Sequence, residues 1–233
     1  MTRRAVFFDL GGTLLVMRRD RIISMIMSDA GYSVTPEEVH SAYFGVEPKW
    51  LRDYGNRNTT PSEAEESYRL LDLLVFNSLF PGRSKAEAAR ASGLMRSRWP
   101  EVQRSVALEL YPDAWPTLER LKKDGYALAL VSNAPPDTTK TIEALGLPKL
   151  IPTIVISGVV GVSKPNPEIF RIALRSAGVE PGETLHVGDL YDADVQGARN
   201  AGIEGVLIDR EGSYGNTDCP KIDSLDEVYR FLR

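Results

Sequence analysis

Four groups of polar residues in this sequence carry side chains that phosphate chemistry uses. A carboxylate can act as a nucleophile, a lysine can neutralise a phosphate, and further carboxylates can bind a metal ion. The groups are, in chain order, Asp9-Leu10-Gly11-Gly12-Thr13, Ser132-Asn133, Lys164-Pro165-Asn166-Pro167, and Gly188-Asp189 with Asp192 and Asp194. Together they predict a site for a small phosphorylated molecule.

Asp9 is the predicted nucleophile of this site. Attack of its carboxylate on phosphorus would form an aspartyl-phosphate and divide one difficult step into two easier ones. Because a carboxylate and a phosphate repel each other, the reaction needs a cation, and Mg²⁺ prefers oxygen ligands of this kind. Asp9 and Asp189 are therefore the predicted carboxylate ligands of a Mg²⁺ ion.

The remaining groups predict a cradle for the phosphate. Lys164 can screen the phosphate charge and orient Asp9, and the Ser132 hydroxyl can bond a phosphoryl oxygen. Backbone amides at 11–13 and 132–133 can bind the other oxygens. The predicted substrate-binding residues are Gly12, Thr13, Ser132, Asn133 and Lys164.

Five short apolar runs predict the strands that position these groups. Each run ends in Gly, Asp, Asn or Ser, as buried strands of a parallel sheet do. The predicted strands are Ala5–Phe8, Tyr126–Val131, Thr153–Ser157, Thr184–Gly188 and Gly205–Ile208. Helical segments separate the later runs, so the sequence predicts an α/β fold with a doubly wound parallel sheet. Asp9 would then lie at the carboxyl edge, where open α/β sheets bind ligands.

The helices around the later strands have recognisable ends. A helix is predicted over 113–123, before Gly125, and another over 193–201, before Gly202. Asn166 before Pro167 predicts the N-cap of a third helix. Ser224-x-x-Glu227 predicts a capping box on the last helix. His186 lies inside the fourth predicted strand, which favours a packed, hydrogen-bonded core residue over a ligand.

A helical insertion interrupts the alternation of strands and helices after the first strand. Three helix-start patterns follow one another there: Thr35-Pro36-Glu37-Glu38, Thr60-Pro61-Ser62-Glu63 and Ser84-x-x-Glu87. The sequence therefore predicts two domains. Residues 1–16 and 107–233 form the core, and residues 17–106 form an all-helical inserted domain.

Composition excludes several classes of protein. The net charge of −4 gives no reason to expect nucleic acid or an anionic membrane as a partner. No apolar run reaches the length of a transmembrane helix, and the first predicted strand leaves no room for a signal peptide. The single cysteine, Cys219, fits a reducing compartment, so a cytoplasmic location is expected. The sequence does not indicate an oligomeric state.

The four groups resemble the motifs of the haloacid dehalogenase superfamily over most of the chain. The residues that carry the resemblance are Asp9 with Thr13, Ser132, Lys164 in Val162-Ser163-Lys164-Pro165-Asn166-Pro167, and His186-Val187-Gly188-Asp189 with Asp194. The resemblance implies a Rossmann-like core with the inserted domain as a cap that selects the substrate. It also implies Asp9 as nucleophile and Mg²⁺ held by Asp9, Asp189 and the backbone carbonyl of Gly11. Asp194 would support the metal indirectly.

Gly11 is where this sequence departs from the family. The first motif of the family normally reads Asp-x-Asp-Gly-Thr, and its second Asp, which serves as general acid and base, corresponds to Gly11. Loss of such a group typically costs about 10²–10⁴-fold in rate. One reading is a weak or selective Mg²⁺-dependent phosphatase for good leaving groups, with Asp192 as a partial substitute. Another is a non-catalytic or regulatory protein that binds phosphate or holds a long-lived aspartyl-phosphate.

A third reading changes the bond that is cleaved. The family's dehalogenases lack this Asp but use no metal, and the presence of Asp189 and Asp194 argues against them. The family's phosphonatases bind the metal, have a small residue at the position of Gly11 and use a lysine of the cap domain. Lys49 and Lys85 are the only lysines in the insertion, and neither lies in a recognisable motif. The substrate itself is not readable from the sequence.

Overall fold

The structure is a computed structural model that describes residues 2–53, 61–106 and 108–232. The chain divides into two compact units, one of Met1–Met17 with Leu108–Arg233 and one of Arg18–Ala107. The first unit is built on a sheet, and the second is helical. Among the described residues, no helix has both the length and the apolar character needed to cross a membrane.

A six-stranded, fully parallel sheet organises the first unit. Its strands are β1 (Ala5–Phe8), β2 (Ala127–Ser132), β3 (Thr153–Ile156), β4 (Thr184–Gly188), β5 (Glu204–Ile208) and β6 (Lys221–Ile222). They lie in the order β3-β2-β1-β4-β5-β6. Strands β2 and β3 thus extend the sheet on one side of β1, and β4, β5 and β6 extend it on the other. The strand order switches between β1 and β4, which is the place where α/β sheets open a crevice for ligands.

Helices cover both faces of this sheet, and four helices make up most of the described part of the second unit. The second unit contains α1 (Arg19–Asp29), α2 (Pro36–Asp53), α3 (Pro61–Leu79) and α4 (Lys85–Ser105). The first contains α5 (Ala114–Lys123), α6 (Thr138–Ala144), α7 (Ser157–Val160), α8 (Pro167–Ala177) and α9 (Gly197–Asn200). The predicted α/β class with a doubly wound parallel sheet is confirmed.

Strand β1 shows how the apolar pattern produces two layers. Its four residues are fully buried, and their side chains alternate between faces. Val6 and Phe8 pack in one core cluster with residues of α5, while Ala5 and Phe7 pack in another with residues of α8. A strand buried on both faces is a continuous apolar run, which is why the sequence revealed it.

The helical unit has a core of its own. Residues from all four helices form one buried cluster, which includes Met27, Val39, Phe76 and Met95. The start of α2 carries a capping box, in which the amide of Glu38 donates to Oγ1 of Thr35 and the amide of Thr35 donates to the Glu38 carboxylate. Ser84 and Glu87 form the same motif on α4. The pattern at 60–63 lies partly outside the described residues.

The C-terminal third differs from the sequence prediction in three places. The sequence does not predict strand β6, because a strand of two residues is too short to form an apolar run. The segment predicted as one helix over 193–201 is a π-helical turn, Tyr191–Gln196, followed by α9. The predicted capping box at Ser224 is wrong: a 3₁₀ helix, Leu225–Phe231, begins there, and the Ser224 hydroxyl lies within hydrogen-bond distance of the carboxylates of Asp113 and Asp226 instead.

Candidate active site

Asp9 occupies the carboxyl end of the central strand. It follows β1 directly, and its amide donates to the carbonyl of Val187 in β4 at 2.9 Å. Asp189 follows β4, so the two carboxylates leave neighbouring strands at the same edge of the sheet. One oxygen from each of Asp9, Asp189 and Asp194 lies within 4.8 Å of the others. The switch in strand order between β1 and β4 therefore brings three predicted site residues together.

Lys164 connects two of these carboxylates. Its ammonium nitrogen lies 2.5 Å from Oδ1 of Asp9 and 2.6 Å from Oδ1 of Asp194. The side chains of all three residues are nearly inaccessible to solvent. A buried cation between two buried anions stabilises only when its geometry is close and its hydrogen bonds are satisfied. Here both contacts of Lys164 are close, and both oxygens of Asp194 accept hydrogen bonds. The sequence prediction placed Lys164 against Asp9; the structure adds Asp194.

Asn133 fixes the backbone that carries Lys164. Its Nδ2 donates to the Lys164 carbonyl at 2.8 Å, and its Oδ1 accepts from the Lys164 amide at 2.8 Å. This paired contact ties the loop after β2 to the loop before α8. Both polar atoms of the Asn133 side chain thus have a structural partner.

Asp194 is held from three directions. Its Oδ1 is within 3.0 Å of Nε2 of His186, in addition to Lys164, and its Oδ2 accepts from the amide of Leu190 at 3.0 Å. His186 has no exposed surface, and its ring meets that of Phe170 edge to face. The sequence prediction of a packed, hydrogen-bonded His186 is confirmed, but its partner was not foreseen.

Burial and charge set the ionisation of this cluster. Burial raises the pKa of Asp9 to about 6, although Lys164 opposes the shift. Burial alone would lower the pKa of Lys164, but Asp194 and Asp9 outweigh it and raise that pKa above its ordinary value. Burial would likewise raise the pKa of Asp194, but the charge of Lys164 and the bond from His186 lower it. The Lys164–Asp194 pair is therefore ionised at neutral pH.

Two glycines allow the carboxylates to approach the backbone. A Cβ at Gly12 would stand 2.2 Å from Oδ2 of Asp189, and Gly12 adopts a φ of +78°. A Cβ at Gly188 would stand 2.1 Å from Cγ of Asp194. Distances this short are not compatible with any side chain, so glycine at both positions is required by the positions of Asp189 and Asp194.

The other predicted binding residues line the same region. Ser132 ends β2 and is buried, one strand away from Asp9. Thr13 is fully buried, and within the described structure its Oγ1 has no hydrogen-bond partner, while its carbonyl accepts from Arg210 at 2.9 Å. Gly11 lies between Asp9 and Thr13 in the same turn. Arg210 was not singled out from the sequence, because nothing near it resembles a site motif.

The two lysines of the insertion lie in the helical unit. Lys85 is the first residue of α4, and its side chain is exposed. Lys49 lies in α2, but its side chain falls outside the described residues. Asp192, the suggested substitute acid, sits in the π-helical turn, where partial burial raises its pKa.

The carboxylate group fits a divalent metal ion. Asp9 and Asp189 each supply an oxygen atom to the carboxylate cluster, and Mg²⁺ binds oxygen ligands and commonly only one or two protein carboxylates. Both oxygens of Asp194 already accept hydrogen bonds. This donor set fits two direct carboxylate ligands with Asp194 behind them.

Comparison with known proteins shows which family the chain resembles. The family model of haloacid dehalogenase-like hydrolases matches residues 3–202. The chain is 31% identical over 232 residues to a glyceraldehyde 3-phosphate phosphatase of Methanopyrus kandleri, covering 96% of this chain and 91% of the relative. It is 40% identical over 131 residues to a phosphoserine phosphatase of Thermus thermophilus, covering 56% of this chain and 49% of the relative.

Solved structures extend the likeness over the full length. A HAD phosphatase from Thermococcus onnurineus shares 26% identity, with a TM-score of 0.60 over 98% of this chain and 97% of that one. A HAD-hydrolase from Bacillus subtilis, crystallised with magnesium, has the same fold at 20% identity, with a TM-score of 0.73 over 100% and 99% of the two chains. Because the family model matches well over half of the chain, this chain belongs to the haloacid dehalogenase-like hydrolases.

Proposed function

We propose that this hydrolase is a Mg²⁺-dependent phosphatase of small phosphorylated metabolites that acts through an aspartyl-phosphate on Asp9. The observation that carries the proposal is the buried cluster in which Lys164 bridges Asp9 and Asp194 beside Asp189. The relatives named as phosphatases of glyceraldehyde 3-phosphate and phosphoserine support a small phosphorylated molecule as substrate.

Asp9 is the nucleophile in this proposal. It is the acidic residue at the centre of the sheet edge, and the lysine contact holds its carboxylate in one orientation. Attack of a carboxylate oxygen on phosphorus forms the phosphoryl–enzyme bond and breaks the bond to the leaving group. Water then attacks phosphorus, releases inorganic phosphate and restores the carboxylate.

The surrounding residues bind the phosphate. Lys164 neutralises charge that accumulates on the phosphoryl oxygens, since its ammonium already lies beside the nucleophile. The Ser132 hydroxyl and the backbone amides of Gly12, Thr13 and Asn133 supply hydrogen bonds to the same oxygens. Thr13 also has a buried hydroxyl without a partner in the described structure, which makes it a donor available on ligand binding.

Mg²⁺ would be held by Asp9, Asp189 and the carbonyl of Gly11, with Asp194 orienting the groups behind them. When bound, the ion offsets the repulsion between the phosphate and the carboxylates. Substitution of the general acid/base position by Gly11 removes only a side chain, so the backbone ligand is retained. Phosphatase activity is therefore compatible with Gly11, although proton transfer is not assisted from that position.

Residues 17–106 would form the cap domain of this enzyme, with 1–16 and 107–233 as its catalytic core. The all-helical composition of the inserted segment and its independent core support this division. In this proposal the helical unit selects the metabolite, while the sheet unit carries the chemistry.

The direct test measures Mg²⁺-dependent release of p-nitrophenol from p-nitrophenyl phosphate. Wild type should turn over, Asp9→Asn should not, and both should melt at similar temperatures. Activity that survives in Asp9→Asn, or that persists after metal chelation, would contradict the proposal. A wild type that binds phosphate with Mg²⁺ but turns over no phosphorylated compound would instead identify a regulatory phosphate-binding protein.

A further inference from the structure

We propose that the site selects substrates whose leaving group departs as a stable anion: acyl phosphates, and aryl or enol phosphates. The inference rests on the phosphatase function proposed above and names its substrate class. It also separates this chain from the relatives named for glyceraldehyde 3-phosphate and phosphoserine, because those compounds are alkyl phosphates, whose leaving group is an alkoxide unless an acid protonates it.

The thioether of Met17 occupies the space that a side chain at position 11 would enter. A Cβ built on Gly11 would stand 3.0 Å from Sδ of Met17, 3.5 Å from its Cγ and 3.8 Å from its Cε. The face of the Asp9–Thr13 turn beside Gly11 is therefore covered by a soft apolar group that carries no acidic proton.

Backbone hydrogen bonds hold Met17 at this place. The amide of Gly12 donates to the carbonyl of Leu15 at 2.9 Å, and the amide of Leu15 donates to the carbonyl of Leu10 at 2.8 Å. The next residue, Val16, donates to the carbonyl of Glu109 at 2.8 Å. These bonds fold the chain back on itself within seven residues, which returns position 17 to the side of position 11. The turn therefore brings the backbone of Met17 within reach of position 11, and its side chain covers that position.

The protons next to Asp9 are committed to other partners. The Lys164 ammonium lies within 2.6 Å of two carboxylates, and transfer of its proton would leave both anions without a counter-charge. Both oxygens of Asp194 accept hydrogen bonds, and Asp189 is placed against Gly12 as a metal ligand in the proposed function. The described carboxylates that cluster with Asp9 are Asp189 and Asp194, and Asp192, the suggested substitute acid, is not among them. Neither this cluster nor Lys164 therefore supplies a proton to a leaving oxygen.

Chemical balance then restricts the substrate. In the first step an Asp9 oxygen forms a bond to phosphorus, and the bond from phosphorus to the leaving oxygen breaks with its electron pair on that oxygen. Without a proton donor the oxygen leaves as an anion and takes a proton from water afterwards. A carboxylate, phenolate or enolate is stable enough to leave in this way, whereas an alkoxide gains most from an acid.

A leaving-group series tests the inference. The probes are acetyl phosphate, p-nitrophenyl phosphate, phenyl phosphate and glycerol 3-phosphate, each with wild type, Gly11→Asp and Gly11→Ala. For wild type, kcat/KM should fall steeply as the leaving group becomes more basic. Gly11→Asp should flatten this dependence by raising the rate on glycerol 3-phosphate about 10²-fold or more, as a general acid does. Gly11→Ala adds the Cβ without the acid and should keep the steep dependence.

The outcomes separate the substrate class from the function. A steep fall of wild-type kcat/KM with leaving-group basicity, together with turnover that requires Asp9, supports both the substrate class and the phosphatase function. Turnover of glycerol 3-phosphate by wild type at the rate of p-nitrophenyl phosphate would overturn the substrate class and leave the phosphatase intact. No turnover of any probe would overturn the phosphatase itself. If Gly11→Asp fails to fold, the wild-type series alone tests the substrate class. Met17→Leu keeps an apolar side chain beside Gly11 and should behave as wild type.

Discussion

Nε2 of His186 lies 3.0 Å from Oδ1 of Asp194, in a position with no solvent access. An ionised carboxylate only accepts, so this nitrogen carries the proton, and Nδ1 is left buried without a partner in the described structure. An unpaired buried nitrogen destabilises the fold. The contact with Asp194 therefore explains why a histidine, and not an apolar residue, stands in the middle of β4.

His186→Leu should disturb the site more than the fold. It removes the donor to Asp194, which in turn orients Lys164 on Asp9. Loss of an orienting partner of this kind typically costs about 10–100-fold in metal affinity or activity. His186→Gln keeps an N–H donor and should recover most of the loss. Mg²⁺ dependence of kcat/KM and of the melting temperature measure both effects; equal behaviour of the Leu and Gln variants would assign His186 to packing alone.

Lys164→Met should destabilise the metal-free protein. The substitution leaves the buried carboxylates of Asp9 and Asp194 without their cation, and breaking a buried pair typically costs about 3–5 kcal/mol. Chemical denaturation without metal measures the free energy of unfolding. Glu168→Gln, which breaks exposed ion pairs with Arg171 and Arg175, is the control and should change it little. A loss for Lys164→Met no larger than for the control would contradict the ionised cluster.

Gly12→Ala should abolish metal binding. The new Cβ would collide with the Asp189 carboxylate, and the left-handed backbone adds strain. Gly178→Ala provides a matched control, because Gly178 also has a positive φ of +65° but has nothing within 4 Å of the added Cβ. Both should lose about 1–2 kcal/mol of stability from backbone strain. Only Gly12→Ala should lose the Mg²⁺-induced rise in melting temperature; retention of that rise would place the metal elsewhere.

Asp113 should make stability sensitive to acid. Burial would raise its pKa, but the bonds from Arg210 and the amide of Leu225 outweigh burial and hold that pKa below its ordinary value of 3.8. A group with a lowered pKa in the folded state stabilises above its unfolded pKa, and the stabilisation disappears as the pH falls through the folded pKa. The melting temperature of wild type should therefore drop below about pH 4 more steeply than that of Asp113→Asn. Parallel curves for the two proteins would contradict this assignment.

Sequence patterns revealed those parts of the fold in which local chemistry determines local structure. Strands β1 and β4 are apolar runs closed by Asp or Gly, and their order along the chain places Asp9 beside Asp189. The second contact of Lys164 was not readable, because it joins residues 30 apart through tertiary packing. Ser224 was misread for a similar reason: its hydroxyl bonds Asp113, which is distant in sequence, and not the amide of Glu227.

The space beside Gly11 is another feature that depends on contacts between residues distant in sequence. The sequence reveals that a carboxylate is missing from the turn, but it does not reveal what occupies the space. The side chain of Met17 occupies it, and backbone bonds between Gly12 and Leu15 and between Val16 and Glu109 bring the backbone of Met17 close to it. The second of these joins segments that flank the whole helical insertion, so no local pattern could predict it.

Trapping of the phosphorylated enzyme tests the central claim most directly. Wild type is mixed with acetyl phosphate and Mg²⁺, quenched in acid during turnover, and mapped by peptide mass spectrometry. The account predicts a phosphoryl group on Asp9 that accumulates, because no side chain at Gly11 activates water for the second step. Gly11→Asp should lower this accumulation, and Asp9→Asn should abolish it. Phosphate release with no phosphorylated Asp9 at any quench time, or with the phosphoryl group on another residue, would contradict the account.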